Sequence, residues 1–213
     1  MRASLEVILA GGGPRSLGRA AEVVRLALTD PRRLHELFGG VLHRDEIVRM
    51  RAGDALEKVC RDRPELLQPY VERLLAEASE VGQPSVQWHL AQMLGELALR
   101  PDQQARTVRL LKRNLDESTD WIVITCTLET LATFAAGDRA LRRDLIGRLQ
   151  RYRRENRKSI AKRAEKLLAR LRALGGDPSD FAGGCRRRRP DPGPAPLQHG
   201  DPQFRLPRQS RYR

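Results

Sequence analysis

The chain has 213 residues, of which 31% are charged and 4% aromatic, and a formal net charge of +13. That length suffices for one domain with a sizeable core. Scarce aromatics and absent alternating patterns argue against a β-rich fold, no apolar run approaches the ~18 residues of a membrane span, and three scattered cysteines make no disulfide framework.

Residues 1–16 end in Gly11, Gly12, Gly13 and Pro14 and are expected to form a flexible lead-in. The apolar stretch Val7–Ala10 is too short for a signal-peptide h-region, and Glu6 interrupts it, so a cytoplasmic address is the default expectation. A helix is predicted from Leu17 to Leu28. Asp30-Pro31 opens the next, because Asp caps well and Pro suits the first turn; it carries Leu34, Leu37, Phe38, Val41 and Leu42. A third runs from Asp45 to about Arg61. Pro64 opens a helix bearing Leu67, Tyr70, Val71, Leu74 and Leu75. Pro84 opens another, and Pro101-Asp102 one with Val108, Leu111 and Leu115. Ser118, Thr119 and Asp120 cap the next. Gly137-Asp138 separates it from a helix with Leu141, Leu145 and Leu149, and the last runs from about Arg157 to Leu174.

A helical phrase recurs along this series. Val48, Ala52, Ala55, Leu56 and Val59 occupy offsets 0, 4, 7, 8 and 11, which share one face of a helix. The same offsets give Val86, Leu90, Met93, Leu94 and Leu97, then Val123, Thr127, Thr130, Leu131 and Phe134, then Ile160, Ala164, Leu167, Leu168 and Leu171. The starts lie 38, 37 and 37 residues apart, a period that marks a stacked helical repeat. One helix pair could not bury such a stripe alone, so the pairs must stack.

The phrase Asp45, Val48, Arg49, Ala52, Ala55, Leu56 resembles the second helix of a HEAT repeat, and Asp120 precedes Val123 as Asp45 precedes Val48. Gln83 and Arg157 replace that Asp in the other two copies, and only the first copy has the Val-Arg pair. The resemblance covers residues 30–174. It implies an all-α fold: an α-α superhelix, a HEAT-like solenoid of about nine helices over residues 17–174. Residues 175–213 are rich in Pro, Gly and Arg and are expected to be a disordered tail. Fold alone does not specify function.

Charge is unevenly placed. Residues 1–138 carry 18 Lys and Arg against 20 Asp and Glu, residues 139–174 carry 14 against 3, and the tail 8 against 4. Arg outnumbers Lys 35 to 5, which points to a composition bias. A polar terminal repeat also aids solubility. Nonetheless Arg151, Arg153, Arg154, Lys158, Lys162, Lys166 and the run Arg186, Arg187, Arg188, Arg189 form a candidate anion or nucleic-acid surface. No lipidation motif accompanies it.

In HEAT-like proteins the second helices line the concave surface. Offsets 2 and 6 point away from the buried stripe and give Met50 and Asp54, Trp88 and Gln92, Thr125 and Glu129, then Lys162 and Lys166. The resemblance thus makes Met50, Trp88, Gln92, Thr125 and Glu129 a candidate protein-binding strip, with Trp88 as anchor if it is not packed against a neighbouring helix. His89 reads as a packed residue, since no acid–base partner is evident. Trp121 is expected to cover the end of the stack, and Arg49 and Arg51 to pair with Asp45 or Asp54 along their helix. Cys60 and Cys126 read as small buried hydrophobes and Cys185 as an exposed thiol; no metal spacing, phosphate loop or nucleophile elbow occurs, and no cofactor is expected.

The sequence therefore leads to a non-enzymatic scaffold or adaptor that binds a protein partner along its concave helices. The alternative is nucleic-acid binding through the basic end. A HEAT-like DNA glycosylase is a remote third, invited by Trp88, Trp121 and Asp120, which do not occupy equivalent offsets.

Overall fold

Caps and prolines set the helix starts. The computed structural model describes residues 3–10 and 16–174, all helix, turn or irregular chain with no strand among them. The expected disordered tail, with Cys185 and Arg186–Arg189, lies outside the described residues. Helices α1 (Leu5–Ala10), α2 (Ala20–Thr29) and α3 (Pro31–Val41) lead into α4 (Glu46–Asp62), the first copy of the phrase. The Asp30 side chain accepts from Arg32 N at the start of α3, and the Asp45 side chain accepts from Ile47 N and Val48 N at the start of α4. The later copies are α7 (Pro84–Glu96), α9 (Trp121–Phe134) and α11 (Lys158–Ala173). Asp120 caps α9 as Asp45 caps α4, whereas Gln83 and Arg157 make no side-chain cap. Gln83 instead ties α4 to α7: it accepts from Arg49 Nε (2.7 Å) and donates to Glu46 O (3.0 Å).

Between the copies lie α5 (Pro64–Leu67), α6 (Val71–Ala76), α8 (Pro101–Glu117) and α10 (Arg139–Tyr152). The single helix expected after Pro64 is corrected here. It breaks at a 3-10 turn over Gln68–Tyr70, because Pro69 lacks the amide donor and its ring crowds the preceding turn.

The phrase helices pack side by side in chain order, α4 on α7, α7 on α9 and α9 on α11. Their partners cover them: α3 on α4, α8 on α9 and α10 on α11, with α6 packing on α8. Of the twenty stripe residues at offsets 0, 4, 7, 8 and 11, all but half-buried Phe134 are buried. Small residues set the approach between helices. A Cβ at Gly40 of α3 would sit 2.9 Å from Ala52 Cβ of α4, and one at Gly95 of α7 would sit 3.2 Å from the Thr130 side chain of α9. Thr130 Oγ1 donates to Ala91 O across the same interface at 2.8 Å.

The lead-in expectation for residues 1–16 is also corrected over α1. Leu5, Ile8 and Leu9 are buried, and α1 rests on α2, α3 and α4. Arg51 of α4, expected to pair along the surface, is fully buried. Its guanidinium donates to Leu9 O at the end of α1 and to Ser16 O at 2.9 Å. A cation there also meets the negative end of a helix dipole. The turn from Ser16 into α2 needs Gly18, whose φ of 54° lies in the left-handed region.

Partner helices are joined by ion pairs. Glu72 of α6 accepts from Gln103 and Arg106 of α8 and from Arg100 just before it, which together hold its carboxyl down at about 2. Arg148 of α10 pairs with Asp116 of α8 at 2.6 Å, and Lys112 of α8 with Asp144 of α10 at 2.8 Å.

Adjacent glycines in α3 separate packing from propensity. Gly39 faces open space, so Gly39→Ala is expected to raise stability by about 0.5–1 kcal/mol. Gly40→Ala is expected to lower it by about 1–3 kcal/mol through overpacking. Urea denaturation of both variants gives the two signs. Arg51→Met removes charge-assisted hydrogen bonds worth about 1.5–3 kcal/mol each. It should lower the urea midpoint and abolish hydrogen-exchange protection of α1 before that of α4.

Candidate functional site

Two surfaces emerge on the phrase helices, and both descend from the helical period. Side chains at offsets 2 and 6 sit opposite the buried stripe. An open hollow of about 320 Å³ lies across α4, α7, α9 and the near side of α11. It brings together Gln92, Thr125 and Glu129 of the predicted strip, while Met50 and Trp88 do not line it. Both of those are half-buried. The Trp88 and His89 rings lie 5.4 Å apart, tilted by 58°.

The strip is less available than its period suggests. Thr125 is buried, and its Oγ1 donates back to Trp121 O (2.9 Å) and Ile122 O (3.2 Å), as Thr commonly does inside helices. Glu129 is held by Arg163 in a short ion pair and by Arg170 at 3.6 Å, both from α11. These contacts join the last two copies. Trp121 lies 5.1 Å beneath the Arg157 guanidinium, an arrangement that favours cation–π attraction.

The hollow also holds residues that the sequence pattern did not single out. Glu57 is only 8% exposed and pairs with Arg61 at 3.3 Å. Burial pushes its carboxyl up, with Asp54 and Glu96 adding to the shift and Arg61 opposing it. The only sequence signal was the Glu57–Arg61 spacing of four, common on any helix. Cys126 lines the hollow half-buried, and burial raises its thiol to about 11. Cys60 is fully buried, its thiol raised to about 12. Neither is poised as a thiolate nucleophile. Among the described residues no group of His, Cys, Asp or Glu could hold a metal ion.

His89 sits against Gly53 of α4, where a Cβ would lie 3.5 Å from its Cδ2. Its Nδ1 is buried and has no hydrogen-bond partner among the described residues. Burial drives the imidazole down to about 4, against an opposing pull from Asp54 and Gln92. At neutral pH it is an uncharged packing group.

The second surface is the basic end. Arg151, Arg153, Arg154, Lys158, Lys162 and Lys166 are all exposed. None forms an ion pair within the described residues. Elsewhere Arg73 pairs with Glu77, Lys58 with Asp54, and Arg100 with Glu72 and Asp102, while Arg25, Arg32 and Arg109 are exposed single cations spread over α2, α3 and α8. A shallow depression along α11 is lined by Ser159, Lys162, Arg163, Glu165 and Lys166. Arg163 borders both this depression and the hollow. The two surfaces are therefore continuous. The Arg186–Arg189 part of the predicted site lies outside the described residues. No described helix is long and apolar enough to cross a membrane. Compared with known proteins, the chain matches no family model, and no curated protein matches it in sequence.

His89 makes stability pH-dependent with a definite sign. Its folded pKa of about 4 lies below the ordinary 6.5, so unfolding takes up a proton between those values. Stability should be full above pH 6.5 and fall as pH drops from 6.5 towards 4. His89→Gln should flatten the urea midpoint across that window relative to the parent chain.

Proposed function

We propose that this protein is a non-enzymatic helical-repeat binding module whose basic end takes a polyanion, with a nucleic-acid backbone as the class it suits. The reading builds on the HEAT-like superhelix proposed from the 37- to 38-residue phrase. One observation carries it: six exposed cations of α10, α11 and their connection cluster at one end with no ion-pair partner among the described residues. Their field is thus not cancelled locally. A polyanion that contacts them releases condensed counterions, and that release drives binding without reading sequence.

A second reading is a protein partner along the phrase helices. The hollow of about 320 Å³ and the half-buried Met50, Trp88 and Gln92 favour it. The buried Thr125 and the ion-paired Glu129 weaken it.

Titration of the full chain against labelled duplex and single-stranded DNA and RNA at several salt concentrations tests the first reading. If all six cations engage phosphates, log K should fall against log salt with a slope of about −5. Absence of binding near physiological salt would sink it. Trp88→Ala should leave that titration unchanged, and would weaken only a protein partner.

A further inference from the structure

The lysines of this chain are not distributed as its composition would scatter them. Arg outnumbers Lys 35 to 5. Two of the five, Lys58 and Lys112, are ion-paired with Asp54 (2.6 Å) and Asp144 (2.8 Å). The other three are Lys158, Lys162 and Lys166, all on α11 and four residues apart. All three are exposed, and none has an ion-pair partner among the described residues.

Spacing of four puts side chains on one helix face, each about 6 Å further along the axis. The row therefore spans about 12 Å. Each lysine can meet one phosphate, so the row suits about three phosphates of one strand. Buried Ile160, Ala164, Leu167, Leu168 and Leu171 fix the other face of α11 in the core, so the row is presented by a helix that cannot roll.

The choice of Lys has a physical reason. An Arg fork bridges to nearby carboxylates and aromatic faces. Arg163 and Arg170 of the same helix do so with Glu129, and Arg157 does so with Trp121. A lysine is a compact charge on a flexible stem and stays available. Arg163 and Arg170 thus tie α11 to α9, and the lysines face outward beside exposed Glu165. α11 itself carries no aromatic residue, and Tyr152 beside it spends its hydroxyl on Leu115 O. Nothing on this row could stack an unpaired base, which single-strand binders use.

We infer that Lys158, Lys162 and Lys166 form a phosphate-reading row that seats one strand of a nucleic-acid duplex, independent of sequence. This rests on the polyanion reading above and narrows it to a place and a ligand class.

The test uses the full chain and a labelled 20-base-pair DNA duplex. Three variants are compared: Lys158, Lys162 and Lys166 all →Gln; Arg151, Arg153 and Arg154 all →Gln; and Arg25, Arg32 and Arg109 all →Gln. The last set removes equal charge from exposed positions away from the basic end. Circular dichroism and melting confirm that each is folded. The row variant should lose at least about tenfold in affinity at 0.1 M salt, and its salt slope should shrink by about 3. The Arg151 set should lose less, and the Arg25 set less than about threefold.

Equal losses from the row and the Arg151 set would overturn the row while leaving the basic-end reading intact. Equal losses from all three would reduce binding to net charge and overturn both. A parent chain that does not bind duplex overturns the basic-end reading itself. Tighter binding to a single strand of the same length, to polyglutamate or to vesicles with 30% anionic lipid would reject the duplex as ligand.

Discussion

The separation between neighbouring phrase helices governs the rest of this molecule. It is set where side chains are smallest. Gly95 meets Thr130 between α7 and α9, and Gly40 meets Ala52 between α4 and its partner α3. Interiors are close-packed, so a methyl group added at such a point must displace a helix or strain a rotamer. Close approach also brings polar groups within reach. Thr130 can reach the carbonyl of Ala91 only because α7 and α9 lie so near. The same closeness removes water from His89 and Glu57, which moves their protonation equilibria in opposite directions as the desolvated charge dictates.

Charge then divides the two rows of helices by task. Between partner helices, arginines cross from one copy to the next: Arg100 and Arg106 to Glu72, Arg148 to Asp116. Exposed pairs of this kind add little each to stability. Arranged around one carboxylate, they fix the register of α6 against α8, because the guanidinium fork accepts few geometries. On the phrase helices the equivalent contact is Glu129 with Arg163 and Arg170. It consumes a residue that the period had placed on an exposed strip. The demands of stacking and of binding compete for the same offsets, and at Thr125 and Glu129 stacking prevails.

The sequence was most legible where one physical effect acts alone. Burial of the stripe follows from apolar periodicity, and nineteen of its twenty residues are buried. Caps at Asp45 and Asp120 follow from local backbone chemistry. Legibility failed where two effects met. Pro69 sits inside a good apolar pattern, and the missing amide broke the helix despite that pattern. Arg51 looked like a surface residue because arginine usually is. Its burial depends on the carbonyls of Leu9 and Ser16, more than thirty residues away in the chain. The Gly-Pro run after Ala10 hid α1, since turn residues speak only for themselves, and Leu5, Ile8 and Leu9 found their partners on α2, α3 and α4.

The two ends of the described helices are closed by different means, and the difference bears on function. At the first copy, α1 and α2 cover α4 with apolar side chains, and buried Arg51 secures them. Such a cover needs no charge outside. At the last copy α11 has no following helix among the described residues. Its apolar stripe is satisfied by α9 and α10 alone. Solubility there requires a polar outer face, and any mixture of charges would meet that need. The face instead carries lysines at one spacing, with Glu155 and Glu165 as the nearby acids that pair with none of them. A solubility requirement explains polarity; it does not by itself explain three lysines at one spacing of four. The proposed polyanion reading would account for that interval, because a nucleic-acid strand presents charge at a regular spacing.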